Sequence, residues 1–129
     1  MRGMNKIFLV GRVGQDPDIR RSKLGRPWCP LQVATQRDGW EPDGSCVERT
    51  DWHEVQLVGQ AADVAERWVR RGTIVAVEGT LTYDAWEDEH GHRHRQPTIL
   101  ASRIVVLGPR TPHEPNRYAQ LPPVHQHRP

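Results

Sequence analysis

Asp51 to Leu81 reads DWHEVQLVGQAADVAERWVRRGTIVAVEGTL, and this stretch decides the fold. Residues 52–58 carry large or apolar side chains at Trp52, Val55, Leu57 and Val58, a strand pattern with a small defect at its end. Gly59 stops it. Ala61, Val64, Ala65, Trp68 and Val69 then fall at i, i+3, i+4, i+7 and i+8, one apolar stripe on a helix. Gly72 suits the left-handed position after the last helical residue, and Arg70 and Arg71 suit the carbonyl end of the dipole. Thr73 to Leu81 is a second strand, Val75 and Val77 alternating with Ala76 and Glu78. One short helix between two long strands of an all-β pattern closes one end of a five-stranded OB barrel. The expected fold is therefore all-β: a five-stranded OB-fold barrel over residues 1–108, with its helix between strands 3 and 4.

The flanking sequence fits this frame. Asn5 to Val13 is strand-like, with Ile7, Phe8, Leu9 and Val10 apolar in succession. Such a run is buried on both faces or lies in a subunit contact. Pro27 to Gln36 is the second strand, with Leu31 and Val33 on one face. Pro30 removes a ladder donor, so this strand is expected to begin late or to be an edge. Trp28 and Trp68 suit the core; a base-stacking role for Trp28 is the weaker alternative. Arg37 to Ser45 carries Asp38-Gly39 and Pro42-Asp43-Gly44, which is turn chemistry. Trp40 stands between these signals with little core to enter, which points to ligand contact. Cys46 to Val58 is the third strand and Gln96 to Leu107 the fifth, joined to the fourth through a polar hairpin tip at Glu87–Arg95. From Gly108 the chain carries six prolines and almost no periodic apolar pattern, so residues 109–129 are expected to be a disordered tail.

Composition narrows the function. A chain of 129 residues suits one domain. It has no apolar run of membrane-spanning length and no charged-then-apolar leader, so a non-membrane, cytoplasmic, nucleoid-associated protein is expected. Cys29 and Cys46 lack metal or redox spacing and are expected to be free thiols. The net charge is only +2, but residues 1–37 hold eight Lys/Arg against two carboxylates, while residues 38–108 hold seven Arg against thirteen carboxylates. Bulk charge therefore cannot drive binding to a polyanion; a local basic face helped by stacking could. Arg12, Arg20, Arg21, Lys23 and Arg26 cluster in the first turn region. They read as a phosphate-tracking patch, or as an ordinary solvated loop. His90, His92 and His94 alternate beside Glu89, a weak zinc pattern without a visible supporting shell. No nucleophile motif, phosphate loop or metalloprotease signature is present. An enzyme is not expected, and no cofactor or metal is expected.

Ordered blocks carry a resemblance. Met4-Asn5-Lys6, Gly14-Gln15-Asp16-Pro17, Glu48-Arg49-Thr50-Asp51-Trp52-His53, Val58-Gly59, Ala62-Asp63-Val64-Ala65, Arg70-Arg71-Gly72 and Val77-Glu78-Gly79-Thr80-Leu81 resemble the bacterial single-stranded DNA-binding protein family over roughly residues 4–108. The resemblance implies that Trp40, Trp52 and Trp86 stack bases, Trp40 after a one-residue loop adjustment. It implies contacts from Arg49, Arg70 and Arg71, alongside the basic patch of Arg12, Arg20 and Arg21; Tyr83, which departs from the family, is expected as a further stacking contact. It also implies a homotetramer with Lys6, Phe8, Val10 and His53 at subunit contacts. Departures are specific. Val58 stands where the family commonly has Phe, and Trp28 and Pro30 where it has small or aliphatic residues. Tyr83 and Asp84 stand where it has basic ones, so weaker or shorter wrapping of DNA is expected. The chain ends Val124-His125-Gln126-His127-Arg128-Pro129 rather than in an acidic tip, so tip-mediated recruitment of replication partners is not expected.

The reading that follows is sequence-independent binding of single-stranded DNA in replication, recombination or repair. Its rival is a dimeric primosome or recombination accessory protein on the same fold, acting mainly through protein partners. A metal-dependent nuclease rests on the histidines and their acidic neighbours alone.

Overall fold

The computed structural model describes residues 1–109. Six strands and one helix run in the order β1 (Ile7–Val13), β2 (Arg20–Arg21), β3 (Pro27–Trp40), β4 (Cys46–Val58), α1 (Gln60–Trp68), β5 (Ile74–Glu87) and β6 (Arg93–Gly108). The sheet order is β1-β5-β6-β4-β3-β2, and a further antiparallel ladder joins β1 to β3 at Arg12–Ala34 and Val13–Val33. The ladders thus connect five long strands in a closed circuit, with β2 as a short flap on β3. All pairings are antiparallel except β4 with β6, where Val55 to Leu57 runs beside Ile99 to Ala101. The OB-type arrangement and its single helix agree with the sequence reading; the two-residue β2 places that helix between β4 and β5 in the present numbering. The tail expected beyond Pro109 lies outside the described residues.

The period-2 alternation sets the interior. Cys29, Leu31 and Val33 of β3 face Leu57 and Val55 of β4, and Val75 and Val77 of β5 lie near Ile99, Ala101 and Ile104 of β6, all buried. The helix closes one end with Ala61, Ala62 and Ala65. These small side chains let it sit close to the sheet. No described helix is long and apolar enough to cross a membrane.

Several local expectations change. The helix ends at Trp68, and Val69 is already extended (φ −100°, ψ 135°). Gly72 (φ 94°) therefore sits in the following turn, closed by Thr73 N–H donating to the Arg70 carbonyl at 3.0 Å, rather than capping the helix directly. Trp68 is only half-buried, with the Arg67 guanidinium 5.4 Å from its ring centroid. It is the last helical residue and lies at the rim, outside the core. Trp28 also lies outside the core. It sits on the outer face of β3, because the adjacent Cys29 takes the inward place.

Pro30 neither delays nor ends β3, which runs from Pro27. Gln32, two residues on, accepts a hydrogen bond from Gly14 N–H, so Pro30 nitrogen faces that same side. There it falls between the β2 and β1 ladders, where no donor is needed. Asp38-Gly39 is not a turn. β3 and β4 stay paired out to Trp40–Cys46, and the turn is Glu41–Ser45, held by Asp43 and by Gly44 at φ 89°. A Cβ on Gly39 would stand 2.6 Å from Arg49 Cγ, so the glycine marks a close approach by the Arg49 stem. The fourth and fifth strands likewise extend beyond their expected ends, to Glu87 and from Arg93, in one continuous ladder. At the other end, Asn5 exchanges two side-chain hydrogen bonds with the Leu81 backbone (2.8 and 3.0 Å), which replaces the ladder before β1 begins.

Candidate nucleic-acid interface

Two hairpin arms leave the barrel: β3–β4 and β5–β6. On the first, antiparallel register decides which side chains share a face. Trp28 opposes Val58, Pro30 opposes Gln56, Gln32 opposes Glu54, Ala34 opposes Trp52, and Trp40 opposes Cys46. These positions have the outward parity, because Cys29, Leu31 and Val33 point inward. Trp40 and Trp52 therefore share one outer face, 71% and 46% exposed. Two large indoles exposed on one strand face make a candidate ligand surface.

Trp52 is nonetheless positioned. A Cβ on Gly14 would stand 2.4 Å from Trp52 Cζ3, so the indole lies directly over the glycine. Gly14 in turn donates its N–H to Gln32 carbonyl at 3.0 Å. Gly14→Ala is expected to push the indole off its seat at little cost to the fold, since a ring on a flexible side chain is what must move. A changed tryptophan emission maximum with a melting temperature within a few degrees of wild type checks this.

On the second arm Trp86 opposes His94, and their rings stack at 5.4 Å with 21° between planes. Trp86 is 48% exposed. Tyr83 lies on the other face of the same arm by parity, with the Arg95 guanidinium 4.3 Å from its ring centroid. The structure thus does not place Tyr83 beside Trp86. Arg95, which the sequence did not single out, and His94, singled out there only for a weak zinc pattern, are ring partners of these aromatics. Cross-strand register carried that signal.

Asp88 orders the tip. Its Oδ1 accepts from the backbone N–H of His90 and His92 (2.9 and 2.8 Å), and its Oδ2 pairs with His94 Nε2 at 2.8 Å. The His94 bond, then the His92 N–H, holds the Asp88 carboxyl below its usual value of 3.8. A depressed folded-state pKa means this contribution is present above pH 3.8 and lost as pH falls through the lower folded value. A carboxyl-carbon NMR titration should show a midpoint below 3.8 for Asp88, moving upward in His94→Ala. Among the described residues no group of three or more His, Cys, Asp or Glu side chains is placed to hold a metal ion.

The cations divide by what holds them. Arg12 Nη1 donates to Gly72 carbonyl (3.2 Å), and Arg70 Nη1 donates to Val69 and Glu66 carbonyls at the helix end (2.7 and 3.3 Å). Both guanidiniums thus tie β1, α1 and the turn together. The Arg71 backbone N–H is fixed by Asp16 at 2.8 Å, which leaves its exposed side chain beside the Gly14 segment. Arg49 pairs with Glu41 and Arg37 with Asp51 (2.7 Å), on the face of the β3–β4 arm opposite the tryptophans. Arg20 pairs with Asp18 at 3.3 Å, and Arg21 is exposed on β2. Exposed pairs of this kind are worth about 0–1 kcal/mol and exchange readily for a phosphate.

The expected subunit-contact residues also divide. Phe8 (73% exposed) and Val10 lie on the outer face of β1, with Lys6 paired to Glu78 at 3.0 Å. In register with them stand Glu78 and Ala76 of β5, next to Arg103 and Val105 of β6. His53 is elsewhere: it has inward parity on β4 and its Nε2 meets Thr35 Oγ1 at 2.8 Å.

The single-strand binding protein family model matches residues 4–107. The single-stranded DNA-binding protein of Xylella fastidiosa (strain Temecula1) is 34% identical over 110 residues, covering 85% of this chain and 67% of that protein. That of Thermosynechococcus vestitus is 34% identical over 115 residues, covering 88% and 91%. Among solved structures, a Plasmodium falciparum SSB in complex with ssDNA superposes with a TM-score of 0.77 at 26% identity, covering 84% of this chain and 98% of that one. A match over nearly the whole described barrel, in sequence and in fold, means that the chain belongs to the single-strand binding protein family.

Proposed function

We propose that this protein binds single-stranded DNA without sequence preference, as a homo-oligomer, and so serves replication, recombination or repair. The observation that carries this reading is the line of exposed indoles on one outer face, Trp40 and Trp52, continued by Trp86 on the neighbouring arm. Aromatic faces accept any base, each stacked base contributing about 1–3 kcal/mol. The fold neighbour solved with ssDNA supports the same reading. Phosphate contacts fall to Arg20, Arg21 and Arg71, with Arg49 and Arg12 available once they leave their present partners. Arg70, bound to two helix-end carbonyls, acts mainly in holding the helix. No step here needs an enzyme's residues, a cofactor or a metal, and a cytoplasmic, nucleoid-associated setting suits the function.

The exposed Phe8 and Val10 face, with Ala76 and Val105 beside it, suits burial between copies; four such chains form the tetramer proposed. The same face favours the second reading, in which an accessory protein uses it for other protein partners. Mass in solution together with a poly(dT) titration separates the two. A tetramer of the 14.8 kDa chain that binds poly(dT) with quenched tryptophan emission supports the first; a dimer that leaves poly(dT) unbound supports the second.

A further inference from the structure

Trp28 belongs neither to the core nor to the indoles named above as base platforms. It is half-buried on the outer face of β3, in register between Arg20 of β2 and Val58 of β4. The Arg20 guanidinium lies 5.3 Å from its ring centroid and also reaches Asp18 at 3.3 Å. We propose that Trp28 and Arg20 form a further one-nucleotide subsite, the base stacking on the indole and the phosphate taken by Arg20. This rests on the reading of the protein as a single-strand binder and adds a residue pair to it.

Three observations support the subsite. The core beneath is complete without the indole, because Cys29, Leu31 and Leu57 fill it and are fully buried. Trp28 shares outward parity with Trp52 and Trp40, and it stands six residues from Ala34 on one side as Trp40 does on the other. At about 3.4 Å per residue, roughly 20 Å separates each from the Trp52 position, so the three indoles are evenly spread along one face. Finally, the present cover is exchangeable. A cation over a ring that still meets solvent is held more weakly than a base on the same face. Arg20 is otherwise held by one exposed carboxylate, so it can swing to the phosphate of the nucleotide whose base replaces it. Val58, directly across the strand, is aliphatic and offers no competing π-face.

The test compares wild type with Trp28→Leu, Trp28→Phe and Arg20→Gln in oligo(dT) titrations at several salt concentrations, with urea midpoints measured in parallel. Trp28→Leu should lose about 5- to 150-fold in affinity, while Trp28→Phe stays within about threefold because it keeps a π-face. Arg20→Gln should flatten the slope of log affinity against log salt by about 0.7, one phosphate contact. Unchanged affinity in Trp28→Leu, or an equal loss in Trp28→Phe, overturns the subsite while wild-type binding leaves the wider reading standing. Should Trp28→Leu fail to fold, the Phe variant and the Arg20 salt slope decide: an unchanged slope overturns it. Wild type that does not bind oligo(dT) rejects both.

Discussion

A Trp52→Ala, Trp86→Ala double variant is expected to lose about 2–6 kcal/mol of poly(dT) binding, roughly 30-fold to more than 10,000-fold. Each indole is close to half exposed, and neither belongs to the core. They stand on different hairpin arms with different partners, Gly14 under Trp52 and His94 beside Trp86, so their contributions should add. Folding should survive, because Val55, Leu57, Val75 and Val77 still fill the interior. The check is a fluorescence or calorimetric titration of the double variant beside its circular dichroism spectrum. A folded double variant within 1 kcal/mol of wild type would reject both residues as platforms.

Gly11→Ala is expected to destabilise the fold by about 3 kcal/mol or more. Its Cβ would stand 2.3 Å from the Ala34 carbonyl oxygen and 2.8 Å from Val33 Cγ1. The first of these is backbone and cannot turn aside. The only relief is to move β1 away from β3, and their ladder is just Arg12–Ala34 and Val13–Val33. The strain therefore falls where the strand circuit closes. Against a typical domain stability of about 5–15 kcal/mol this is a large fraction. Urea unfolding measures it, with Gly3→Ala as control, since nothing lies within 4 Å of a Cβ there. A Gly11→Ala midpoint equal to the control would mean that β1 and β3 do not meet as described.

The strand-helix-strand unit was readable because two periodicities, near 2 and near 3.6, change at Gly59 and again after Val69. The same alternation also held information that turn chemistry and size overrode. Leu31 and Val33 point inward, so Trp28, three residues before Leu31, must point outward, although a tryptophan suggests a core. Asp38-Gly39 has turn composition, yet the glycine serves the approach of the Arg49 stem across the strand, a long-range need no local window shows. The exposure of Trp40 was expected from turn signals on both sides, of which only Pro42-Asp43-Gly44 is a turn; Trp40 is the last residue of β3 and is exposed by its outward parity. The division of the arginines was not. Arg70 differs from Arg71 only in where the turn places its guanidinium, on helix-end carbonyls in one case and toward solvent in the other. Tyr83 and Trp86 are an odd number apart, so a continuous strand through Glu87 separates them by face; expecting residues 82–86 to run from the fourth strand into a loop hid that consequence.

Ultraviolet crosslinking of the wild-type protein to oligo(dT), with the crosslinked peptides identified, tests whether the exposed indoles hold the DNA. Crosslinks are expected at Trp40, Trp52 and Trp86, on the outer face of the β3–β4 arm and on the neighbouring arm. Crosslinks confined to the Lys6, Phe8 and Val10 face, with the three tryptophans unmarked, would contradict it.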